Sequence, residues 1–317
     1  METCRALLVD AFASEPFSGR AAGVVPDAEG LSASQMRAVA RELGADATAF
    51  LLPSRSADRR VRYFTPAGEV DRCCHAAVAA HAHLHEERGI DAGTHSLATN
   101  AGDLAVEVTP EGVVWVPQPR PTVAAIDLDY DRAAAALGVD PAALSDVAAE
   151  LPAAVASAGP SFLVVPVSFL EPLGGAEPDA DAVAALADEH AVDGVYAFTF
   201  DALSAESTLH ARAFAPGFGV REDPATGPAA GACGAYLRRV GAFEGEAGGG
   251  SERPVGDRVD ARGIPAEMRF EQGHFVDRPS AVLVRVGETV RVGGRAVAAF
   301  DGSVAVPADE DDGIIEA

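Results

Sequence analysis

The sequence predicts an α+β protein made of two related β-rich domains, each holding a helix against or inside its sheet. Three observations lead there. Short apolar runs alternate with turn residues along most of the chain, the pattern of buried and half-buried strands. Two helical stretches, one from about His75 and one from about Gly227, are so rich in Ala and Gly that neighbours can pack on several of their sides. A strand–loop–helix segment then occurs twice, 150 residues apart.

In chain order, strands are expected near Ala6–Asp10, Ala22–Val25, Ala49–Pro53, Val61–Thr65, Leu104–Val108 and Val113–Val116. Between the second and third, Ser32 with Gln35 reads as a capping box. Met36, Val39, Ala40 and Leu43 follow at helical spacing, and Gly44 closes that helix. A second helix is expected from His75 to Arg88, stopping at Gly89. The second half repeats the grammar, with strands at Phe162–Val167, Val195–Phe200, Leu209–Phe214, Ala281–Val286 and Val290–Val292. Helices are expected near Asp131–Leu137, Ala180–Asp188 and Gly227–Val240. Glu244–Gly263 reads as an exposed loop, and the acidic stretch Ala308–Ala317 as a mobile tail.

The repeat sets Arg62, Phe64, Pro66 and Val70 against Arg212, Phe214, Pro216 and Val220. Each copy is a strand ending in a Pro turn, then a short loop and an Ala-rich helix. The same offset sets Cys73 opposite Asp223.

The chain has 317 residues, with 24 Lys+Arg against 48 Asp+Glu and a formal charge of −24. Such an acidic surface repels phosphate backbones and anionic lipid heads, so neither nucleic acid nor membrane is an expected partner. No apolar run is long enough to span a bilayer, and no basic segment precedes the first strand, so no secretory leader is read and a cytoplasmic location is expected. Every basic residue is arginine. Excess carboxylate with no lysine is the composition expected of a protein from a very salty cytoplasm, where screening removes self-repulsion.

Four cysteines stand at Cys4, Cys73, Cys74 and Cys233, and they form no CxxC pair. Cys4, Cys74 and Cys233 read as packing residues, although adjacent thiols at 73 and 74 invite oxidation. Cys73 and Asp223 are expected at the mouths of the two Ala-rich helices, where orphan N–H groups and the helix dipole favour an anion. A thiol placed there is a competent proton carrier, and His75 could add a donor. The structural alternatives are a small buried hydrophobe at Cys73 and a first-turn cap at Asp223. His81, His83 and His85 read as a solvated or half-buried helix face rather than a metal site. No metal or cofactor is expected.

At this point the chain resembles the phenazine-biosynthesis isomerase family (PhzF-like proteins), whose fold is that of diaminopimelate epimerase. The resemblance rests on Asp10-Ala-Phe-Ala-Ser-Glu-Pro-Phe-Ser-Gly19, Gln35–Leu43 with Thr48-Ala-Phe50, Arg62–His75, Arg212–Gly227, Asp277-Arg-Pro-Ser280 and Gly293-Gly294. It implies an epimerase-like domain over 1–122, completed by a C-terminal strand near 297–306, a second over 123–296, and an acidic tail over 307–317. It also implies an active site in the interdomain cleft, cofactor-independent proton transfer on a small acidic substrate, and a homodimer. Residue by residue, His75 and Asp223 match the family's active-site histidine and aspartate, and Cys73 matches a cysteine carried by the epimerases. Thr226 and Gly227 match the loop holding the substrate's polar end.

Several site positions depart from the family pattern. Ala47 stands where characterised members carry a catalytic glutamate, with Asp46 beside it as a possible substitute acid. Arg20 replaces an asparagine, Cys74 a glycine and Pro228 a serine. Two functions follow. One is an isomerase or epimerase of a small carboxylic or amino acid, with Cys73 and Asp223 as opposed acid/base groups, His75 as auxiliary donor and Arg20 pairing an acidic substrate. The other is a catalytically silent small-molecule binder on the same scaffold.

Overall fold

The computed structural model describes residues 2–87, 89–243 and 264–309. The expected loop Glu244–Gly263 and the tail from residue 310 lie outside the described residues. The chain divides into two compact units, Met1–Pro117 with Gly293–Ala317, and Gln118–Val292.

The first unit runs β1 (Thr3–Ala11), β2 (Arg20–Val25), α1 (Ala33–Leu43), β3 (Thr48–Leu52), β4 (Arg59–Phe64), β5 (Glu69–Val70), α2 (Cys74–Glu86), β6 (Gly93–Thr99), β7 (Gly102–Val108) and β8 (Val114–Pro117). The second runs β9 (Thr122–Ala125), α3 (Tyr130–Leu137), α4 (Ala142–Ser145), β10 (Ala154–Ser157), β11 (Ser161–Pro166), α5 (Leu170–Gly174), α6 (Ala180–Glu189), β12 (Gly194–Thr199), β13 (Leu209–Ala215), β14 (Val220–Asp223), α7 (Gly227–Val240), β15 (Met268–Gln272), β16 (Ser280–Val286) and β17 (Val290–Gly294). The last strand, β18 (Ala296–Ala305), pairs antiparallel with β1.

Pairing repeats between the units strand for strand. β2–β3 and β4–β6 run parallel while β3–β4 and β6–β7 run antiparallel. In the second unit β11–β12 and β13–β15 run parallel while β12–β13 and β15–β16 run antiparallel. Each set of strands lies around one helix. α2 packs against β1, β2, β3, β7, β8 and β18, and α7 against β9, β10, β11 and β16.

Small side chains permit that enclosure. Residues His75 to Leu84 of α2 are all buried, so the helix has no solvent face. A Cβ added at Gly234 of α7 would stand 2.7 Å from the Val284 side chain, and one at Gly231 3.0 Å from Val292. The sheet therefore approaches the helix backbone more closely than alanine allows. α1 is a surface helix by contrast: Ser32 Oγ accepts from the Gln35 amide, Gln35 Oε1 accepts from the Ser32 amide, and Met36, Val39 and Ala40 face inward. It ends at Gly44, whose φ is +68°.

Some elements differ from expectation. α2 ends at Glu86 rather than Arg88, because the Gly89 and Ile90 amides both turn back onto the Leu84 carbonyl, at 2.8 and 3.3 Å, and Arg5 grips the Glu87 carboxylate. Strands β5, β6, β9, β10, β14 and β15 were not expected from the sequence. They are short or mix Ala, Gly, Ser and charged residues among few apolar ones, and their ladders to neighbouring strands hold them extended.

Candidate active site

The repeated segment builds the same frame in both units. On β4, Arg62 forks onto Glu69, with Nε–Oε1 and Nη2–Oε2 both 2.7 Å. On β13, Arg212 forks onto Glu222 at 3.0 and 2.7 Å. Each guanidinium carbon lies 5.1 Å from a ring centre, Phe64 in one unit and Phe214 in the other. Glu69 and Glu222 are thus equivalent, seven and ten residues beyond their arginines. The ladder agrees: Tyr63 pairs with Val70, and its counterpart Ala213 pairs with Asp223.

This register corrects the alignment read from the sequence. A 3₁₀ turn, Pro216–Phe218, is inserted in the second copy, so the offset beyond it is three residues longer. Cys73 is equivalent to Thr226, and Asp223 to Val70. Cys73 and Thr226 are the N-caps of α2 and α7, whereas Asp223 ends β14 three residues before the cap. The match of Val70 with Val220 is coincidental.

The central helices share a second property. Among the described residues, five helices have eight or more residues. α1, α3 and α6 are each capped by a side chain, Ser32, Asp129 or Asp179, whereas α2 and α7 have no side-chain cap bond. Their first-turn N–H groups keep their affinity for an anionic group. α7 offers one donor fewer, because Pro228 lacks an N–H.

At the mouth of α2, Cys73 Sγ lies 3.4 Å from His75 Nδ1. Burial, with the nearby Arg20 guanidinium, holds His75 well below the usual histidine range, so its ring is neutral at physiological pH. Cys73 and Cys74 are half-buried and form no disulfide. Arg20 begins β2, and its Nε donates to Asp46 Oδ2 at 3.0 Å. Asp46 is 53% exposed and serves as counter-ion to Arg20, while Ala47 is buried. The preceding loop is fixed by the buried Asp10, whose carboxylate accepts from the Phe17 amide at 2.7 Å. It closes at Gly19, φ +57°, where a Cβ would lie 2.1 Å from the Ala11 carbonyl oxygen.

In the second unit Asp223 is buried, and its Oδ1 accepts from the Ala225 amide at 3.1 Å. Gln272, fully buried, organises the loop leading to Gly227. Its Nε2 donates to the Asp223 carbonyl and to Thr226 Oγ1, and its Oε1 accepts from the Thr226 amide at 3.2 Å. Ser280 Oγ donates to the Pro224 carbonyl at 2.7 Å. Gly273, φ +79°, lets the chain pass the same carbonyl; a Cβ there would stand 2.7 Å from it. Gln272 was not singled out from the sequence. A lone amide between the alternating stretch Met268–Glu271 and Gly273 was the available signal.

Thus Cys73, Cys74, His75, Arg20 and Asp46 gather in the first unit, and Asp223, Thr226 and Gly227 in the second. The three other histidines of α2 do not join them. His81 and His83 are buried rather than solvated, because the helix is enclosed; His81 Nδ1–H donates to the Ala77 carbonyl at 2.9 Å. Among the described residues no three His, Cys, Asp or Glu side chains are grouped to hold a metal ion. No helix there is long and apolar enough to cross a membrane.

Comparison with known proteins adds four findings. Residues 9–302 match the family model described as phenazine biosynthesis-like protein, PhzC-PhzF. The chain is 36% identical over 232 residues to an uncharacterized isomerase, YddE, of Escherichia coli, covering 72% of this chain and 77% of that one. It is 32% identical to trans-2,3-dihydro-3-hydroxyanthranilate isomerase of Pseudomonas chlororaphis, covering 75% and 81%. Among solved structures, a PhzF-family phenazine biosynthesis protein of Bacillus anthracis superposes with a TM-score of 0.81 at 27% identity, over 96% of this chain and 100% of that one.

Proposed function

Because the chain belongs to the phenazine biosynthesis-like PhzC-PhzF family, with its isomerase-type fold, we propose that it is a proton-transfer isomerase or epimerase of a small carboxylic or amino acid. Cys73 and Asp223, one from each unit, are the acid/base groups. The observation that carries the reading is the Cys73 thiol at the uncapped start of α2, 3.4 Å from a neutral imidazole. In an epimerisation the Cys73 thiolate removes the proton on the substrate carbon, and the electron pair spreads into the adjacent carboxylate. Asp223, protonated, returns a proton to the opposite face, and the reverse reaction exchanges the roles. The first-turn N–H groups of α2 and α7, with Thr226 and Gly227, receive the carboxylate, and Arg20 favours an acidic substrate. His75, being neutral, can relay the cysteine's proton.

The test is solvent exchange in D2O at molar salt. Trans-2,3-dihydro-3-hydroxyanthranilate and a panel of amino and 2-hydroxy acids are followed by NMR for loss of a carbon-bound proton. Cys73→Ala and Asp223→Asn are each expected to slow exchange about a thousandfold or more. Asp46→Ala is expected to slow it only a few-fold, since Asp46 acts through Arg20. A Cys73→Ala protein exchanging at the wild-type rate would falsify the scheme. Ala47, a buried methyl with no proton to move, favours the second reading, a silent binder; a panel member that binds tightly yet never exchanges is its signature.

A further inference from the structure

Beneath each helix mouth lies a buried phenol whose hydroxyl has no hydrogen-bond partner. The ladder rung that carries Val70 in the first unit reads Ala49, Tyr63, Val70. The equivalent rung of the second reads Tyr196, Ala213, Asp223. Tyrosine and alanine have exchanged strands, so each rung is filled by one phenol and one methyl. Tyr63 is 1% exposed and Tyr196 fully buried, and neither Oη makes a hydrogen bond. Phenylalanine would fill either space without leaving a buried hydroxyl unsatisfied, which costs stability. Packing explains the rings and leaves the hydroxyls unexplained.

The surroundings supply a reason. Cys73, Cys74 and Arg72 lie within electrostatic range of the Tyr63 phenol, and Asp223 and Cys233 within range of Tyr196. Burial raises both phenols well above their usual range, so each keeps its proton and remains a donor. His75, 3.4 Å from the Cys73 sulfur, is kept neutral by burial and Arg20, so its ring is no imidazolium. Arg72 lies within electrostatic range of the phenol, and Arg20, paired with Asp46, within range of the imidazole.

We propose that Tyr63 is a positioning residue whose hydroxyl donates to the Cys73 sulfur when the cysteine has lost its proton, steadying the thiolate from the sheet side. The inference rests on Cys73 being the acid/base group of the first unit. No bond beyond that hydrogen bond forms, and the phenol never gives up its proton. Tyr196 stands in the corresponding relation to Asp223.

The experiment reads the alkylation rate of Cys73 by iodoacetamide against pH, peptide by peptide, on the full chain in molar salt, with Cys4 as internal reference. In Tyr63→Phe the Cys73 midpoint is expected to rise by about one pH unit or more, as loss of a hydrogen bond to a charged group requires. Thermal stability should hold or increase, because an unsatisfied hydroxyl has gone. A merely structural Tyr63 would leave the Cys73 midpoint where it was; an unmoved midpoint in a folded variant overturns the proposal. Should Tyr63→Phe fail to fold, biosynthetic 3-fluorotyrosine makes the phenol a stronger donor with little change of shape. The Cys73 midpoint should then fall, and no fall again overturns the proposal. The acid/base reading fails separately. A Tyr63-dependent midpoint with a fully active Cys73→Ala protein supports the hydrogen bond and removes the chemistry.

Discussion

The mouths of α2 and α7 are built on one plan and equipped differently. Both follow an Arg–Glu fork against an aromatic ring, a strand end, and a three-residue loop to an uncapped helix. In the first unit the ionisable group is the cap residue, Cys73. In the second it stands three residues earlier, at Asp223, and the cap is Thr226, held by Gln272. The frame is a matter of folding and has been kept in both. The ionisable position differs between the copies, because strand end and cap lie only three residues apart before the first turn of the helix. A duplicated scaffold can thereby carry different ionisable groups in its two halves.

The comparison predicts unequal costs for breaking the two forks. Arg212 and Glu222 have side-chain exposures of 6% and 9%, against 21% and 28% for Arg62 and Glu69. Arg212 also donates to the Leu173 and Ala176 carbonyls at 3.0 and 2.8 Å. Arg212→Met leaves a buried carboxylate and the Leu173, Gly174 and Ala176 carbonyls unserved and should lose about 3–5 kcal/mol in urea denaturation. Arg62→Met should lose about 1 kcal/mol. Equal losses would show that the forks are not the shared frame described above.

Acid should act first on the first unit, where three buried histidines lie. Burial lowers His81 to about 4, and it lowers His75 and His83 in the same direction; in the second unit only His210 is lowered among the described residues. The unfolded chain binds protons at about pH 6.5 that the native chain refuses. Stability from these groups is therefore complete above pH 6.5 and is lost as pH falls toward 4. For His81 alone the loss amounts to about 3 kcal/mol. His81→Gln keeps a donor for the Ala77 carbonyl and should flatten urea stability over that range relative to wild type. Parallel pH curves for the two proteins would refute this.

The smallest effect has the opposite sign. Cys73→Ser places a capping hydroxyl at the start of α2 and should stabilise the protein by about 1 kcal/mol in thermal unfolding, while exchange activity falls with the thiol. If Cys73→Ser gains nothing, the open first turn of α2 is not a stability sacrificed for binding.

Much of this was legible in the sequence. Ser32 with Gln35 marked the start of α1, Gly44 its end, and the span of α7 is the one expected. These are local signals, set by side chains within a few residues of the backbone they satisfy. The resemblance in ordered motifs likewise led to the family that comparison shows. What misled was distance along the chain. Pro216–Phe218 adds a turn without changing the look of either copy, so only the ladder between β13 and β14 shows that Thr226 answers to Cys73. The burial of His81 and the clamp made by Gln272 were hidden for the same reason.

By itself, then, the sequence determined the kinds of element, their caps, the repeated segment and the family. Only the tertiary structure decided which residues of the two copies correspond, that His75 is neutral beside Cys73, and that a phenol lies beneath each helix mouth. The physical reason is that helix ends and turns are governed by neighbours in the chain. Register, burial and proton affinity are governed by whatever the fold brings against a side chain from elsewhere.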